Sequence, residues 1–356
     1  MIARPRRIAL ASAVMLVALG TPFATIKFLP VDASELPATA SAHRVDAAMR
    51  GEFPPGRTAP LEIVVGARAG SPQLTALTAQ IRALPSVSAV APAQPAGRHL
   101  ALLDVAPSTP TYSEASQRLV HAVRALHPPF YLGVAGQTAG FVDLEQSLGT
   151  YLPLVLALVI ASTLIVLFMM TGSLVLGMKA VLMNPLSLSA VYGILVLIFQ
   201  HGSLQGLLSY RSTGALDATQ PILLFAISFG LATDYGVFLL SRIKEAHDSG
   251  IPNDRAVAVG LERTGRIVTA AALLFAVAVG AFTTSKLVFI KELGLGTALA
   301  VLIDASIIRG LLVPSLMALL GKWNWWAPRP LRGLHARGSG AGQAQPQPQP
   351  VLASTE

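Results

Sequence analysis

Six apolar stretches, each long enough to cross a lipid bilayer, constrain the fold of this chain more than any other feature. A helix needs about 20 apolar residues to span the roughly 30 Å hydrocarbon core of a membrane. Only 12% of the 356 residues are charged, whereas soluble domains carry about 25%. The pattern therefore predicts an α-helical polytopic membrane protein with six transmembrane helices. The stretches lie at residues 8–28, 151–170, 174–199, 220–240, 267–289 and 293–320.

The first stretch follows three arginines and has two interpretations. A cleaved signal peptide has the same basic start, but no clean small-x-small cleavage site follows the stretch. We therefore favour a retained transmembrane helix.

Basic residues at the ends of the stretches predict the orientation of the chain. They cluster before the first stretch, between the fourth and fifth, and after the sixth, so six spans place all three clusters on one side. The positive-inside rule makes that side cytoplasmic, and we expect both termini in the cytoplasm. The net charge of +8 is thus orienting charge, and we expect no nucleic-acid partner. The clustered residues are Arg4, Arg6, Arg7, Arg242, Lys244, Arg255, Arg263, Arg266, Lys322, Arg329 and Arg332.

The same reasoning divides the chain into four parts. Residues 1–29 hold the first helix, 30–148 an extracytoplasmic domain, 149–321 a five-helix bundle and 322–356 a cytoplasmic tail. Three tryptophans at 323, 325 and 326 suit an interfacial anchor. The tail is too poor in apolar residues to fold from about residue 338.

The extracytoplasmic domain repeats a strand–helix–strand pattern. This is the split β-α-β arrangement of a ferredoxin-like α+β domain. The domain could serve packing alone, or it could form a substrate vestibule or a partner-docking surface. The predicted strands are 61–65, 87–90, 99–105 and 130–134, and the predicted helices are 72–84 and 112–126.

Ionisable residues deep in the apolar stretches are the strongest functional candidates, because a charge at the bilayer centre costs about 2.5–3.5 kcal/mol on insertion scales. Asp234 and Asp304 lie at similar depths in the fourth and sixth stretches, and Tyr235 follows Asp234. We interpret Asp234 as a proton-relay group. Asp304 could relay protons or could pair permanently with Arg309, which lies near the inner interface, where its side chain could snorkel to water.

Other chemistries find little support in the sequence. The seven histidines show no metal-ligand spacing, there is no phosphate-binding GxxxxGK[ST] motif, and no nucleophile lies beside a base. We therefore expect neither an enzyme nor a bound cofactor. The motif Asn184–Pro185 predicts a bend or a helix–helix contact.

Several segments, taken in order, resemble the MMPL family of the resistance–nodulation–division (RND) superfamily. The most specific is ISFGLATDYGVFLLSRIKE at residues 227–245, which resembles the family's fourth-helix signature. Supporting segments are GQTA at 136–139, KAVLMN at 179–184, TGRIV at 264–268 and WNWWAP at 323–328.

The resemblance implies export of hydrophobic or lipidic compounds, or drugs, across a bacterial cytoplasmic membrane, driven by proton influx. Protons would be the only coupling ion, and Asp234 with Tyr235 would belong to the relay. The chain departs from many relatives at Gly236, where they carry an acidic residue.

Length is the larger departure from the family. Members usually contain two such halves, and this chain resembles the C-terminal one. It would then pair with itself or with a separate first-half subunit. The alternatives are a non-transporting accessory or regulatory subunit that binds membrane lipids or a partner, and a remnant of a split gene.

Overall fold

The computed structural model describes residues 4–53, 56–328 and 330. Within them, six helices are long and apolar enough to cross a membrane, which confirms the predicted number. Ser173 starts the third of these helices by accepting a hydrogen bond from the backbone N–H of Leu176, the usual role of an N-cap serine. In chain order, spans 1 to 6 are Pro5–Thr25, Gln137–Thr171, Leu174–Gln200, Gln220–Asp248, Asn253–Thr284 and Val288–Trp325.

Spans 3 and 6 form the centre of the helical bundle. Half of the most apolar window of each is buried, against 11–17% for the other four. A single apolar core joins Leu16 of span 1, Leu195 and Phe199 of span 3, Leu224 of span 4 and Ile308 of span 6. The outward faces of spans 1, 2, 4 and 5 are left for lipid or for another bundle.

Span 1 packs against span 3 at a glycine, so we expect Gly193→Ala to destabilise the bundle. A Cβ atom at Gly193 would lie 1.9 Å from the carbonyl oxygen of Leu19. Overpacking of this kind costs about 1–3 kcal/mol. The measurement is the free energy of unfolding in mixed micelles. Gly149→Ala in span 2 is the matched control, because a Cβ there meets nothing within 4 Å; equal stability of the two variants would contradict the observed packing.

Between spans 1 and 2 the chain forms an α/β domain, which we call the outer domain. Its main sheet has the strand order β3-β5-β2-β6, every pair is antiparallel, and β4 extends it beside β5. The strands at 61–65 and 87–90 match their predicted bounds; the next two each begin two residues later than predicted. In chain order the elements are β1 Phe28–Leu29, α1 Ser41–Glu52, β2 Leu61–Val65, α2 Pro72–Arg82, β3 Val87–Val90, β4 Gln94–Pro95, β5 Ala101–Pro107, α3 Glu114–Arg124 and β6 Leu132–Ala135.

The core of the outer domain lies between this sheet and two helices. Alternate residues of β2 point inward, with Leu61 and Ile63 fully buried, as expected for a half-buried strand. Leu77 of α2 and Val123 of α3 pack against them. The first turns of span 2 join the same core through Ala139, so this span begins at Gln137, 12 residues before the predicted boundary at 149.

Three short elements in or near the outer domain were not predicted. Helix α1 lies in the polar segment before β2. The loop after span 3 contains the short helix α4 Gln205–Leu208 and the strand β7 Leu216–Asp217. Strand β7 pairs in parallel with β1, so the chain leaving span 1 is fastened to the chain entering span 4.

At the end of the bundle away from the outer domain, one tryptophan of the predicted anchor packs between helices. The Trp325 ring stacks on His247 with 4.2 Å between centroids, and its indole N–H donates to Asn253. Trp325 therefore joins spans 4, 5 and 6, while Trp323 and Trp326 remain exposed. Arg329, Arg332 and the tail from 338, which was predicted to be disordered, lie outside the described residues.

Candidate functional site

Asp304 and Arg309, which could only be suggested as partners from the sequence, form a buried ion pair in span 6. The Arg309 Nε–H donates to Asp304 Oδ2 at 2.6 Å, and the side chains are 13% and 7% exposed for Asp304 and Arg309 respectively. The expectation that Arg309 snorkels to the inner interface is therefore wrong. Its guanidinium is held inside the bundle by the aspartate and by a neighbouring helix.

A local change of helix type brings the two side chains together. Residues five apart in an α-helix point about 140° apart around the axis, too far for a direct bond. The segment Asp304–Leu312 is instead a π-helix, whose i→i+5 bonding places such residues on one side. π-Helical segments inside α-helices are found frequently at functional sites.

Arg309 also joins span 6 to span 4. Its Nη2 donates to the backbone carbonyl of Ala232. A Cβ atom at Gly236 would lie 3.8 Å from the same nitrogen. The guanidinium thus lies beside Gly236, the position at which the chain departs from the acidic residue of many relatives.

Asp234 lies on span 4, two residues beyond the carbonyl that binds Arg309. That separation is about 3 Å along the helix axis, so the Asp304–Arg309 pair and Asp234 occupy one level of the bundle. Asp234 is exposed on the outer face of span 4, and among the described residues it belongs to no ion pair. Tyr235 follows in the same helix, about 100° around its axis.

A small polar crevice reaches Asp304 from span 3. Its volume is about 10 Å³, room for about one water molecule. Asn184 and Ser187 line it together with Ser228 of span 4, whose buried hydroxyl has no hydrogen-bond partner among the described residues. The residues Leu174–Leu195 are α-helical through Pro185, and the motif predicted to mark a bend or a helix–helix contact lies where span 3 meets spans 4 and 6, with an amide and a hydroxyl beside Asp304.

A second, larger cavity lies where the outer domain meets the membrane bundle. It encloses about 900 Å³, within the usual range for sites that hold drug-sized ligands. Helix α1 contributes the apolar side chains Val45 and Met49, and Phe53 follows it; the rest of the lining mixes apolar residues such as Leu29 with polar and charged ones. Among the polar groups, Arg50 pairs with both Asp32 and Asp46 at 2.8 Å.

Comparison with known proteins identifies the family of the chain. A model described as "MMPL family" matches residues 67–348. A membrane protein of Streptomyces coelicolor, SCO6666, is 38% identical over 351 residues, which cover 94% of this chain and 48% of that protein. The trehalose monomycolate exporter MmpL3 of Mycobacterium tuberculosis is 42% identical over 229 residues, 63% of this chain and 24% of the exporter.

A further relative is the mycolic acid-containing lipids exporter MmpL11 of Mycolicibacterium smegmatis. It is 33% identical over 293 residues, 77% of this chain and 30% of that protein. This chain thus spans about half or less of the length of each of these relatives. The family match covers most of the sequence, including the span that carries Asp234 and the span that carries the Asp304–Arg309 pair. The chain is a multi-pass membrane protein and belongs to the MMPL family.

Proposed function

We propose that the chain is half of a proton-motive-force-driven exporter of hydrophobic or lipidic compounds. The observation that carries the proposal is the ion pair between Asp304 and Arg309, bonded to span 4 at the level of Asp234. The names of two relatives describe export of lipids. A transporter needs a polar group that can take and release a proton inside the membrane, and these three residues place charges at one level of the bundle.

The charge balance of this set supports a relay. With both carboxylates ionised and the guanidinium cationic, the set carries one net negative charge, which one proton neutralises. Asp304 is already bonded to Arg309, whereas Asp234 belongs to no ion pair among the described residues, so we assign the proton-accepting role to Asp234, with Tyr235 as its neighbour in the relay. Because moving one charge through 100 mV supplies about 2.3 kcal/mol, proton flow through such a group can drive a conformational change.

The exposure of Asp234 supports a second bundle beside this one. A carboxylate facing lipid costs about 2.5–3.5 kcal/mol at the centre of the membrane. Covering the outer face of span 4 with a second set of helices removes that cost and completes the relay. The partner is a second copy of this chain or a separate first-half subunit.

The outer domain supports a role in the path of the substrate. Its strand order and antiparallel pairing, with one helix after β2 and one after β5, support a ferredoxin-like domain. The cavity of about 900 Å³ is lined by both apolar and polar residues, which suits an amphipathic lipid leaving the outer leaflet. We place this domain outside the cytoplasm and both termini inside, on the basis of the basic clusters.

Photo-crosslinking tests the second bundle. Leu223 lies 11 residues before Asp234, about 20° from it around the helix axis, and is 38% exposed. A benzophenone amino acid at position 223 is expected to give a high yield of intermolecular adduct in native membranes. Twice the mass of the chain would indicate a homo-oligomer, and another mass a separate subunit.

The matched control places the same probe at Leu274 of span 5, which is 74% exposed. That face should contact lipid and give little protein adduct. If position 223 crosslinks no better than position 274, the proposal that span 4 faces a partner bundle is wrong.

A further inference from the structure

The chain leaving span 1 is clamped to the outer ends of spans 4 and 6 by a group of carboxylates. Asp217 of β7 organises the contact: its Oδ2 accepts from the backbone N–H of Val31 at 3.1 Å, and its Oδ1 accepts from that of Thr219 at 2.8 Å. The parallel β1–β7 pair continues the same contact. The clamp therefore joins the start of the outer domain directly to the membrane bundle.

Two more carboxylates meet Asp217 at this point. The backbone N–H of Asp217 donates to Glu292 Oε2 of span 6 at 3.3 Å. Glu35 lies close enough to Asp217 and to the backbone of Phe289, one turn before Glu292, for both to act on its carboxylate. Asp217 and Glu292 are only 2% and 3% exposed, and Glu35 is partly buried. Three acidic groups thus meet at one junction.

Two basic groups near the junction are bonded elsewhere. Arg50 binds Asp32 and Asp46, and Lys291 donates to the carbonyls of Leu208 and Thr283. Lys27 lies directly before β1, and its backbone carbonyl accepts from the N–H of Leu216. Among the described residues, no ion pair includes Glu35, Asp217 or Glu292. The remaining charged or titratable groups around the junction and its adjoining cavity are His43, Tyr112, Tyr210 and Arg211.

A buried amide at the same junction lacks a hydrogen-bond donor. Gln220 is fully buried, and its Nε2 donates to the carbonyl of Phe289 at 2.8 Å. Its Oε1 has no hydrogen-bond partner among the described residues. The junction therefore contains more acceptors than donors, and a buried unpaired acceptor costs about 1–3 kcal/mol. A proton on a carboxyl group supplies a donor and also relieves the repulsion between the anions.

We propose that Glu35, Asp217 and Glu292 form a proton-binding site that clamps the outer domain to spans 4 and 6 when it is protonated. Ionisation of the site weakens the clamp through repulsion of the buried carboxylates. The site is distinct from the relay at Asp234, since it lies at the outer end of the bundle and acts on the outer domain. The site makes the contact between the outer domain and spans 4 and 6 depend on the pH outside the cytoplasm.

The direction of the pH effect follows from Glu35. Burial, and then the charges of Asp217 and Asp32, raise its pKa from the ordinary 4.5 to about 7. The closed clamp therefore binds a proton more tightly than the open one. The contribution of Glu35 to the stability of the clamp is full below pH 4.5 and is lost as the pH rises through the interval to about 7. One linked proton gives a change of at most about tenfold per pH unit.

Hydrogen exchange of the full chain in lipid nanodiscs tests this proposal. The amides of Val31 and Ala218 report the clamp, because they donate to Asp217 and Leu29. After correction for the intrinsic rate, their protection is expected to fall by up to about tenfold per unit between pH 5 and 7. Glu35→Gln cannot ionise at position 35 and should keep the high protection throughout this interval, and Glu292→Gln, which removes one of the neighbouring anions, should reduce the fall.

Controls separate the clamp from general unfolding and from the relay. Glu62→Gln, on an exposed position of β2, and Asp234→Asn should both retain the wild-type pH profile. Protection of the β5 amides reports whether each variant is folded. If one of the glutamine variants loses that protection, Asp217→Asn is used in its place. Protection that is flat with pH in the wild type, or that falls equally in the folded neutral variants, would overturn the proposal.

Discussion

Asp234→Asn is expected to abolish proton-driven export while leaving the protein folded and inserted. The asparagine has nearly the same shape but cannot bind and release a proton, so the set formed with Asp304 and Arg309 loses its exchangeable site. Transport of a fluorescent lipid analogue in inverted vesicles energised by respiration should drop to the level of vesicles that lack the protein. Membrane yield and thermal stability should be close to those of the wild type.

Asp254→Asn is the matched control for charge removal. Asp254 is exposed in the first turn of span 5, outside the set of charges at the level of Asp234. This variant should transport at the wild-type rate. Transport by Asp234→Asn at a similar rate would refute the relay assignment.

Arg309→Gln is expected to give the largest loss of stability among the substitutions considered. It leaves the Asp304 carboxylate inside the bundle without its cation, and breaking a buried pair by removing one partner costs about 3–5 kcal/mol. The free energy of unfolding, measured by titration with sodium dodecyl sulfate in mixed micelles, should fall by that amount. Asp304→Asn combined with Arg309→Gln should recover most of it, because no buried charge then remains.

An exposed ion pair provides the comparison for the variants at 304 and 309. Arg242 lies 2.8 Å from Glu245 near the end of span 4, with side chains 45% and 55% exposed. Exposed pairs contribute about 0–1 kcal/mol, so Arg242→Gln should change stability little. If the double variant at 304 and 309 is no more stable than Arg309→Gln alone, the loss does not come from an uncompensated Asp304 charge.

Hydropathy was sufficient to find the bundle and part of its chemistry. Six spans follow from the length of the apolar stretches, and Asp234 and Asp304 stand out because charges are rare there. The strands at 61–65 and 87–90 follow from short apolar runs between turns. In each case, local composition reflects burial directly.

The geometry of the site depends on features that hydropathy does not carry. The bond between residues 304 and 309 requires the π-helix, and regular α-helical spacing predicts that the two side chains diverge. Asn184 was attributed to packing because only the folded bundle brings it to the crevice beside Asp304. In the sequence, this role was indicated by a polar residue next to a proline in the middle of an apolar stretch.

The clamp was missed for a different reason. Strands β1 and β7 are two residues each and lie more than 180 residues apart in the chain, so neither has a periodic pattern. Helix α1 contains no buried residue, which removes the apolar stripe by which helices are found. Long-range pairing and local order without burial cannot be read from a single sequence.

Proton flux through the reconstituted chain is the most direct test of the central claim. Proteoliposomes made with a lipid extract of the native membrane, holding a pH-sensitive dye, are placed across an imposed proton gradient. We expect the wild-type chain to carry protons down the gradient faster than empty liposomes, and Asp234→Asn to match the empty liposomes. A wild-type flux equal to that of Asp234→Asn, with both proteins folded and assembled, would contradict the claim that Asp234 carries the coupling proton.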